Sequence, residues 1–443
     1  MKRFPLLRLA AALAIPALAI PALAFPAMAQ PNRDTLAEAV SSAIANNPTL
    51  MAERSARGIA DETLEQARAA MRPQIGFNGS VGSQDLEFGR TVNTPAGNFP
   101  LGGWQDRATA GLEARQTLYA GGGLAAQRDQ AMAGVDAASA ELRQAEQTVI
   151  LSVVEVFLDV RRAEQEVAFR QTNLESLDQQ VRAASDRFDA GDVTRTDVAQ
   201  AEARRAAARS DLAASRSRLE DARATYEQIV GRAPVQLAAP PPAPPLPATL
   251  EQAISTSKGL NSRLVAARAR EIAAEQGIDI AKAGLRPRLA IVGNGGLQET
   301  YQDRTFRDTN LGVFAELSIP LYQGGLLSSR TRSARLESDR ARYGRMAIER
   351  EVTAEVTSAW HAVIATREAI AASEVRVASA ELALEGARQE LLVGTRITLD
   401  VLDQEREFLE AQLGLVDAER AAYLAAHNLL RATGQLGMNL IPQ

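Results

Sequence analysis

The chain contains no cysteine, which removes disulfides, thiolate metal sites and a lipid-anchored N-terminal cysteine together. Aromatic residues are scarce as well, 4% against 46% hydrophobic residues overall, a balance that suits long alanine-packed helices better than one large globular core. Only two histidines occur, His361 and His427. Both fall inside helical runs without a histidine or cysteine companion, so they read as structural or solvent-facing rather than as metal ligands or catalytic bases. The formal net charge is -5 with both signs interleaved. No basic patch of the kind that neutralises phosphates is present, and nucleic acid is excluded as a partner. The positive charge is almost all arginine, spread evenly along solvated helix faces.

Long apolar runs are missing too. Met1, Lys2 and Arg3 form a charged start, an apolar run follows to Phe25, and Ala27, Met28 and Ala29 make a small-x-small cleavage site before Gln30. Residues 1–29 therefore read as a secretory signal peptide. Beyond them no stretch approaches the ~20 uninterrupted apolar residues of a membrane helix. If the mature chain spans a membrane, it must use strands.

What the sequence does contain is a duplication. Thr35 to Pro73 reads as a helix and then a stop, and adding 214 reproduces it from Thr249 to Pro287: Leu36 pairs with Leu250, Asn47 with Asn261, Leu50 with Leu264 and Arg72 with Arg286. Such a repeat dictates architecture before any local motif does. After each proline the apolar period becomes alternating, with Ile75, Phe77 and Val81 in one copy and Leu289, Ile291 and Leu297 in the other. These are strands. Each is followed by a polar loop (90–103 and 298–310) and a second alternating segment that ends at Leu118 and Tyr119 or at Leu321 and Tyr322. The offset then falls to 203, so the first copy is longer by 214 minus 203, or 11 residues, assigned to the loop holding Pro95, Pro100 and Trp104.

Paired glycines, Gly121 and Gly122 or Gly324 and Gly325, mark the corner from strand to helix. A heptad seam follows at Val149, Val153, Val156, Val160, Ala163, Leu177, Val181 and Ala184, answered 203 positions later by Val352, Val356, Ala359, Val363, Leu384 and, opposite Phe188, Leu391. From Gly122 to Gly191, and from Gly325 to Gly394, the separation is the same 69 positions, roughly 100 Å at ~1.5 Å per residue. Both hairpin tips thus end at one level. Gly191 and Gly394 turn the chain, and Thr398 or Asp400 is available to cap the second returning helix. The descending helices run to Gly231 and Gly434, and a proline-rich segment links the copies. The organisation is residues 30–234, a linker at 235–248, and residues 249–443.

Four strands cannot close a membrane barrel, which starts at about eight, and lipid does not tolerate an open sheet edge. Three chains of four strands give a 12-stranded barrel continued by 12 long helices, the most economical closed solution. The fold class expected is a mixed α and β membrane protein: a trimeric outer-membrane β-barrel continued by an α-helical coiled-coil tunnel.

The repeated Leu-Tyr-x-Gly-Gly (Leu118 to Gly122; Leu321 to Gly325), the Arg-Pro before each first strand (Arg72, Pro73; Arg286, Pro287) and the tips Val393, Gly394, Thr395, Arg396 with Asp400, Val401, Leu402, Asp403 resemble the TolC-like outer-membrane efflux proteins. The resemblance covers essentially the whole mature chain. It implies a homotrimer in outer-membrane lipid, extending into the periplasm as the duct of a tripartite efflux or type I secretion system. An inner-membrane transporter would dock through a periplasmic adaptor at the tips, where Gly191, Val193, Gly394 and Thr395 form the contact. It also implies a gate in which Asp400 and Asp403 ring the closed entrance and Arg396 is tied to Asp197. Leu391 departs from the pattern, because the best-known member of that family has a tyrosine there, and this chain lacks that hydroxyl.

No nucleophile, base or metal-ligand cluster accompanies the aspartates, so neither an enzyme nor a cofactor is expected. Asp400 and Asp403 share a helix face; the bland reading is a helix start where carboxylates complement the dipole. The duplication argues further, because 403 minus 203 lands on Gln200 and only the second copy carries both carboxylates. The alternative of a periplasmic adaptor or a plain coiled-coil scaffold predicts one hairpin flanked by small domains, not two strand-plus-hairpin units.

Overall fold

In the computed structural model, which describes residues 34–95, 97–301 and 305–437, the duplication is visible element by element. The first copy contains α1 (Leu36–Asn46), α2 (Pro48–Ala69), β1 (Gln74–Thr94), β2 (Gly97–Ala120), α3 (Gly123–Asp189) and α4 (Arg195–Val230). The second contains α5 (Leu250–Leu260), α6 (Ser262–Ala283), β3 (Arg288–Tyr301), β4 (Thr305–Ser318), α7 (Leu326–Leu392) and α8 (Thr398–Thr433). Every helix boundary in the second copy lies 214 or 203 positions after its counterpart. The signal-peptide segment lies outside the described residues.

The helix expected from Thr35 onward is two helices. Asn47 takes an extended backbone and its Oδ1 accepts from Thr49 N at 2.9 Å, capping α2, whose first residue is Pro48. Asn261 does the same in the other copy, accepting from Leu264 N at 3.2 Å. An asparagine followed by proline is an N-cap and N1 signal that the continuous apolar period masks.

The strands form one antiparallel meander in the order β1-β2-β3-β4. The segments expected to be polar loops are mostly strand: β1 and β2 pair as far as Thr94 with Gly97, through an irregularity between Phe88 and Thr91. The 11 extra residues therefore lengthen a hairpin rather than a loop. β4 stops at Ser318, short of the expected Tyr322, because Pro320 has no N–H to give to a ladder. On the sheet, Ile75 and Phe77 oppose Ala114 and Leu112, which in turn oppose Gly293 and Gly295, then Val313 and Leu311. That face is apolar and exposed, Leu311 at 93%. The other face carries Ser80 bonded to Thr109 at 2.7 Å and Arg115 paired with Glu316 at 3.1 Å. One apolar and one polar face is the pattern of a lipid-facing barrel wall. Among the described residues no helix is long and apolar enough to cross a membrane.

Below the sheet, α3 and α7 are each 67 residues long and pack antiparallel to α4 and α8. Val149, Val153, Val156, Val160, Ala163, Leu177, Val181 and Ala184 are all buried, as the heptad reading requires. Each such Val or Leu contributes about 1.5–3 kcal/mol. Of the second seam, Val352, Val356, Val363 and Leu384 are buried while Ala359 and Leu391 are only half-buried. The difference has a cause: α3 is also covered by α6 and α8, whereas the matching flank of α7 faces nothing within the chain.

Leu112→Arg, in the middle of the apolar face, is expected to abolish outer-membrane insertion, since a basic residue on a lipid-facing strand costs about 2–4 kcal/mol near the midplane. Thr109→Arg on the polar face is expected to leave insertion intact. Quantitative membrane fractionation of the two variants checks this; equal insertion would mean that the faces are misassigned.

Candidate gate at the helix tips

Both tips close in the same way. Gly191 (φ 85) and Gly394 (φ 77) take left-handed backbone, which a side chain disfavours, and the following amides reach back five residues, Asp192 N to Arg187 O at 2.8 Å and Thr395 N to Glu390 O at 3.0 Å. This Schellman-type closure satisfies the last carbonyls of α3 and α7. Thr395 adds a bond from Oγ1 to the same Glu390 carbonyl at 3.0 Å. A Cβ on either glycine would meet no atom within 4 Å, so the tips are open to a partner. Val193 beside them is half-exposed.

The returning helices begin differently. α4 starts with a capping box: Asp197 N donates to Thr194 Oγ1, and Asp197 Oδ2 accepts from Thr194 N at 2.9 Å and from Thr194 Oγ1 at 2.8 Å. The Thr194 amide, then its hydroxyl, hold the Asp197 carboxyl below the usual carboxylate range. In the second copy the position of Thr194 is Ile397 (397 minus 203), and α8 has no side-chain cap. The expectation that Thr398 or Asp400 caps α8 is thus not met, because the N-cap residue is Ile397, which offers no oxygen, while Thr398 is buried one position inside. Asp400 in consequence makes no ion pair or side-chain hydrogen bond among the described residues.

Asp403 has a partner that sequence reasoning missed. Arg204 on α4 pairs with it, Nη2 to Oδ1 at 2.9 Å. Arg204 lies on α4, seven residues after Asp197, and no spacing within that helix points to a partner on α8. Arg396 bonds Glu390 of its own tip, and Asp197 bonds Thr194, so one chain does not bring Arg396 and Asp197 together. Leu391 packs against the buried cluster of Leu384, Ala387 and Val401, so its contact at the tip is apolar.

Above the tip sits a second link. Glu405, 4% exposed, accepts at Oε1 from Ser176 of α3 at 2.7 Å and from Arg388 of α7 at 3.2 Å. The three residues line a groove of about 700 Å³ between α3, α7 and α8, walled by Phe169, Leu384 and Phe408. A carboxylate at a heptad core position was the available sequence signal. His427 is buried, its Nδ1–H donating to Tyr423 O at 2.8 Å and its ring stacked on Tyr423; burial lowers its pKa. Among the described residues no group of three or more His, Asp or Glu side chains is placed to hold a metal ion.

The tips thus hold Asp197 bonded to Thr194, Asp403 paired with Arg204, and Asp400 without a side-chain partner among the described residues, in a chain whose four-stranded sheet has two open edges. Comparison with known proteins places it. A family model described as outer membrane efflux protein matches residues 39–232 and 253–435. The chain is 32% identical over 404 residues to outer membrane efflux protein BepC of Brucella suis biovar 1, covering 91% of this chain and 86% of that one. It is 26% identical over 421 residues to outer membrane protein TolC of Vibrio cholerae, covering 91% of each. Its fold resembles the crystal structure of the outer membrane protein VceC from Vibrio cholerae with a TM-score of 0.75 at 22% identity, over 90% of this chain and 96% of that one. The adaptor and scaffold alternatives are thereby set aside: the chain belongs to the outer membrane efflux protein family and is an export channel of the outer membrane.

Proposed function

We propose that three copies of the chain close one duct, gated at the helix tips and joined there through a periplasmic adaptor to an inner-membrane transporter. The observation that carries the reading is a mismatch between equivalent faces of the two copies. Ala133 and Ala140 of α3 are 4% and 0% exposed under α6, while their counterparts on α7, Leu336 and Tyr343, are 69% and 59% exposed. Conversely Ala266, Ala269 and Ala283 of α6 are buried, and their counterparts on α2, Ala52, Ser55 and Ala69, are exposed. The bare flank of α7 fits the bare flank of α2 on the next chain as α3 fits α6. Sheet edges β4 and β1 join by the same operation, and repeating it three times closes a ring.

Gly121 gives the contact in detail. A Cβ there would sit 2.7 Å from Ala283 O and 2.7 Å from Arg286 Cβ, and Arg286 Nη1 donates to Gly121 O at 2.9 Å. Gly324 is its counterpart and has nothing within 4 Å. Arg72 matches Arg286 (72 plus 214), so Arg72 donates to the Gly324 carbonyl of the neighbouring chain.

At the entrance, Asp400 supplies one uncompensated carboxylate per chain, and Asp403 is neutralised by Arg204. The ring therefore holds three free carboxylates rather than six. Crowded like charges favour a bound cation, which makes the closed entrance cation-selective. Arg396 is released from Glu390 to reach Asp197 across a chain boundary when the tip is shut. Leu391 closes the tip by packing rather than by a hydroxyl. The exposed Gly191, Val193, Gly394 and Thr395 form the adaptor contact. No catalytic step is assigned to any residue.

Three outcomes are expected. Arg72→Ala lowers the temperature at which the trimer dissociates on semi-denaturing gels, whereas Arg68→Ala, one turn earlier, does not; identical melting would remove the proposed contact. In planar bilayers Asp400→Ala loses block by a trivalent cation, and Ile397→Thr, which rebuilds the Thr-x-x-Asp box and ties Asp400 to its own helix, weakens block at least several-fold; undiminished block in both would mean that Asp400 only complements the helix dipole. Gly191→Trp and Gly394→Trp retain trimer and insertion but lose export in an efflux assay, and normal export in both would sink the adaptor assignment.

A further inference from the structure

The groove above the tip is lined by a carboxylate that the chain leaves half satisfied. Glu405 is 4% exposed. Its Oε1 accepts from Ser176 and Arg388, whereas its Oε2 is buried and meets no donor. Such an orphan oxygen is costly inside a protein. Four charged side chains line the groove, Glu381, Glu385 and Glu405 against Arg388, three negative and one positive, for a formal balance of -2. Arg388 is engaged with Glu405, and no ion pair reaches Glu381 or Glu385 among the described residues. The rings of Phe169 on α3 and Phe408 on α8 are half-buried in its walls. A volume of about 700 Å³ falls within the range of small-molecule pockets, about 300–1,000 Å³.

The duplication shows that this chemistry belongs to one copy. At the offset of 203, Phe169 becomes Ala372 and Phe408 becomes Arg205, so both rings are lost. Glu385 becomes Arg182 and Arg388 becomes Ser185, while Glu381 and Glu405 remain acidic as Asp178 and Glu202. Two carboxylates against Arg182 and Arg205 leave no net charge, and Asp178 already pairs with Arg205 at 3.8 Å. Packing between long helices is common to both copies and does not require an acidic groove with aromatic walls in only one.

We propose that the groove binds an amphipathic organic amine, a protonated primary or secondary ammonium joined to an aromatic body. The path to Glu405 opens when Arg388, 41% exposed at its side chain, swings outward. The ammonium takes over its charge and gives Oε2 the N–H donor that it lacks, as a charge-assisted hydrogen bond. Glu381 and Glu385 at the exposed rim add attraction for a cation and repel an anion. The aromatic body lies against Phe169 and Phe408, where ring contacts add to area burial. Every wall of the site comes from one chain, so the inference does not rest on the number of chains in the duct, and Asp400 at the entrance takes no part in it.

The test uses the full-length protein in lipid nanodiscs and dansylcadaverine, a primary ammonium on a flexible chain that ends in a fluorescent aromatic group, with empty nanodiscs as the blank. Saturable binding at one site per chain is expected. Glu405→Gln keeps the size of the side chain and an acceptor for Ser176 and Arg388 but removes the charge; it is expected to weaken binding about tenfold or more, the worth of a hydrogen bond to a charged group. Arg388→Gln removes the competing cation and is expected to tighten binding several-fold, whereas loss of a merely structural link would weaken it. The N-acetylated probe, with its ring intact and its charge gone, is expected to bind about tenfold more weakly or worse. No saturable binding above the blank, equal binding of the amine and its acetamide, or undiminished binding in Glu405→Gln overturns the inference. If Glu405→Gln does not assemble, Glu381→Gln with Glu385→Gln lowers the charge at the exposed rim without touching the packed floor; several-fold weaker binding is then expected, and unchanged affinity overturns the inference.

Discussion

An unpaired strand edge cannot rest in lipid. Each N–H and C=O left without a partner in hydrocarbon costs several kcal/mol, and the meander β1-β2-β3-β4 ends in two such edges. That single constraint organises the molecule. It forces the sheet to be completed by other copies, the completed wall fixes where each pair of long helices descends, and the equal length of α3 and α7 brings every tip to one level. The level at which the proposed gate sits is thus a consequence of helix length set by duplication, not of a local binding motif.

The duplication made most of this legible in advance. The offsets of 214 and 203 between copies recur in every helix boundary of the structure, and the alternating segments identify both strand hairpins. Features that break a period were harder to read. The division of the first helix at Asn47 is hidden because the apolar stripe runs through it. Pro320 ends β4 early although the alternation continues to Tyr322. The longer first hairpin looks like a loop because Pro95 and Pro100 are turn residues, yet β2 carries Pro100 within its ladder, opposite Thr91 beside the irregularity. At the gate the aspartates were legible and their partners were not, since Arg204, Arg388 and Ser176 come from other helices and no sequence spacing places them together.

Divergence between the copies is where function accumulates. Thr194 against Ile397 ties one aspartate and frees its counterpart. Charged residues at 155, 159, 162, 417 and 420 stand against Ser and Ala at 358, 362, 365, 214 and 217, so the ion pairs between α3 and α8 have no counterpart in the other copy.

The claim on which everything rests is that one chain is a third of a closed duct. Native mass spectrometry of the detergent-extracted outer-membrane complex tests it directly. The account predicts a single dominant species of three chains; a stable monomer, or a dimer with no higher assembly, would contradict it.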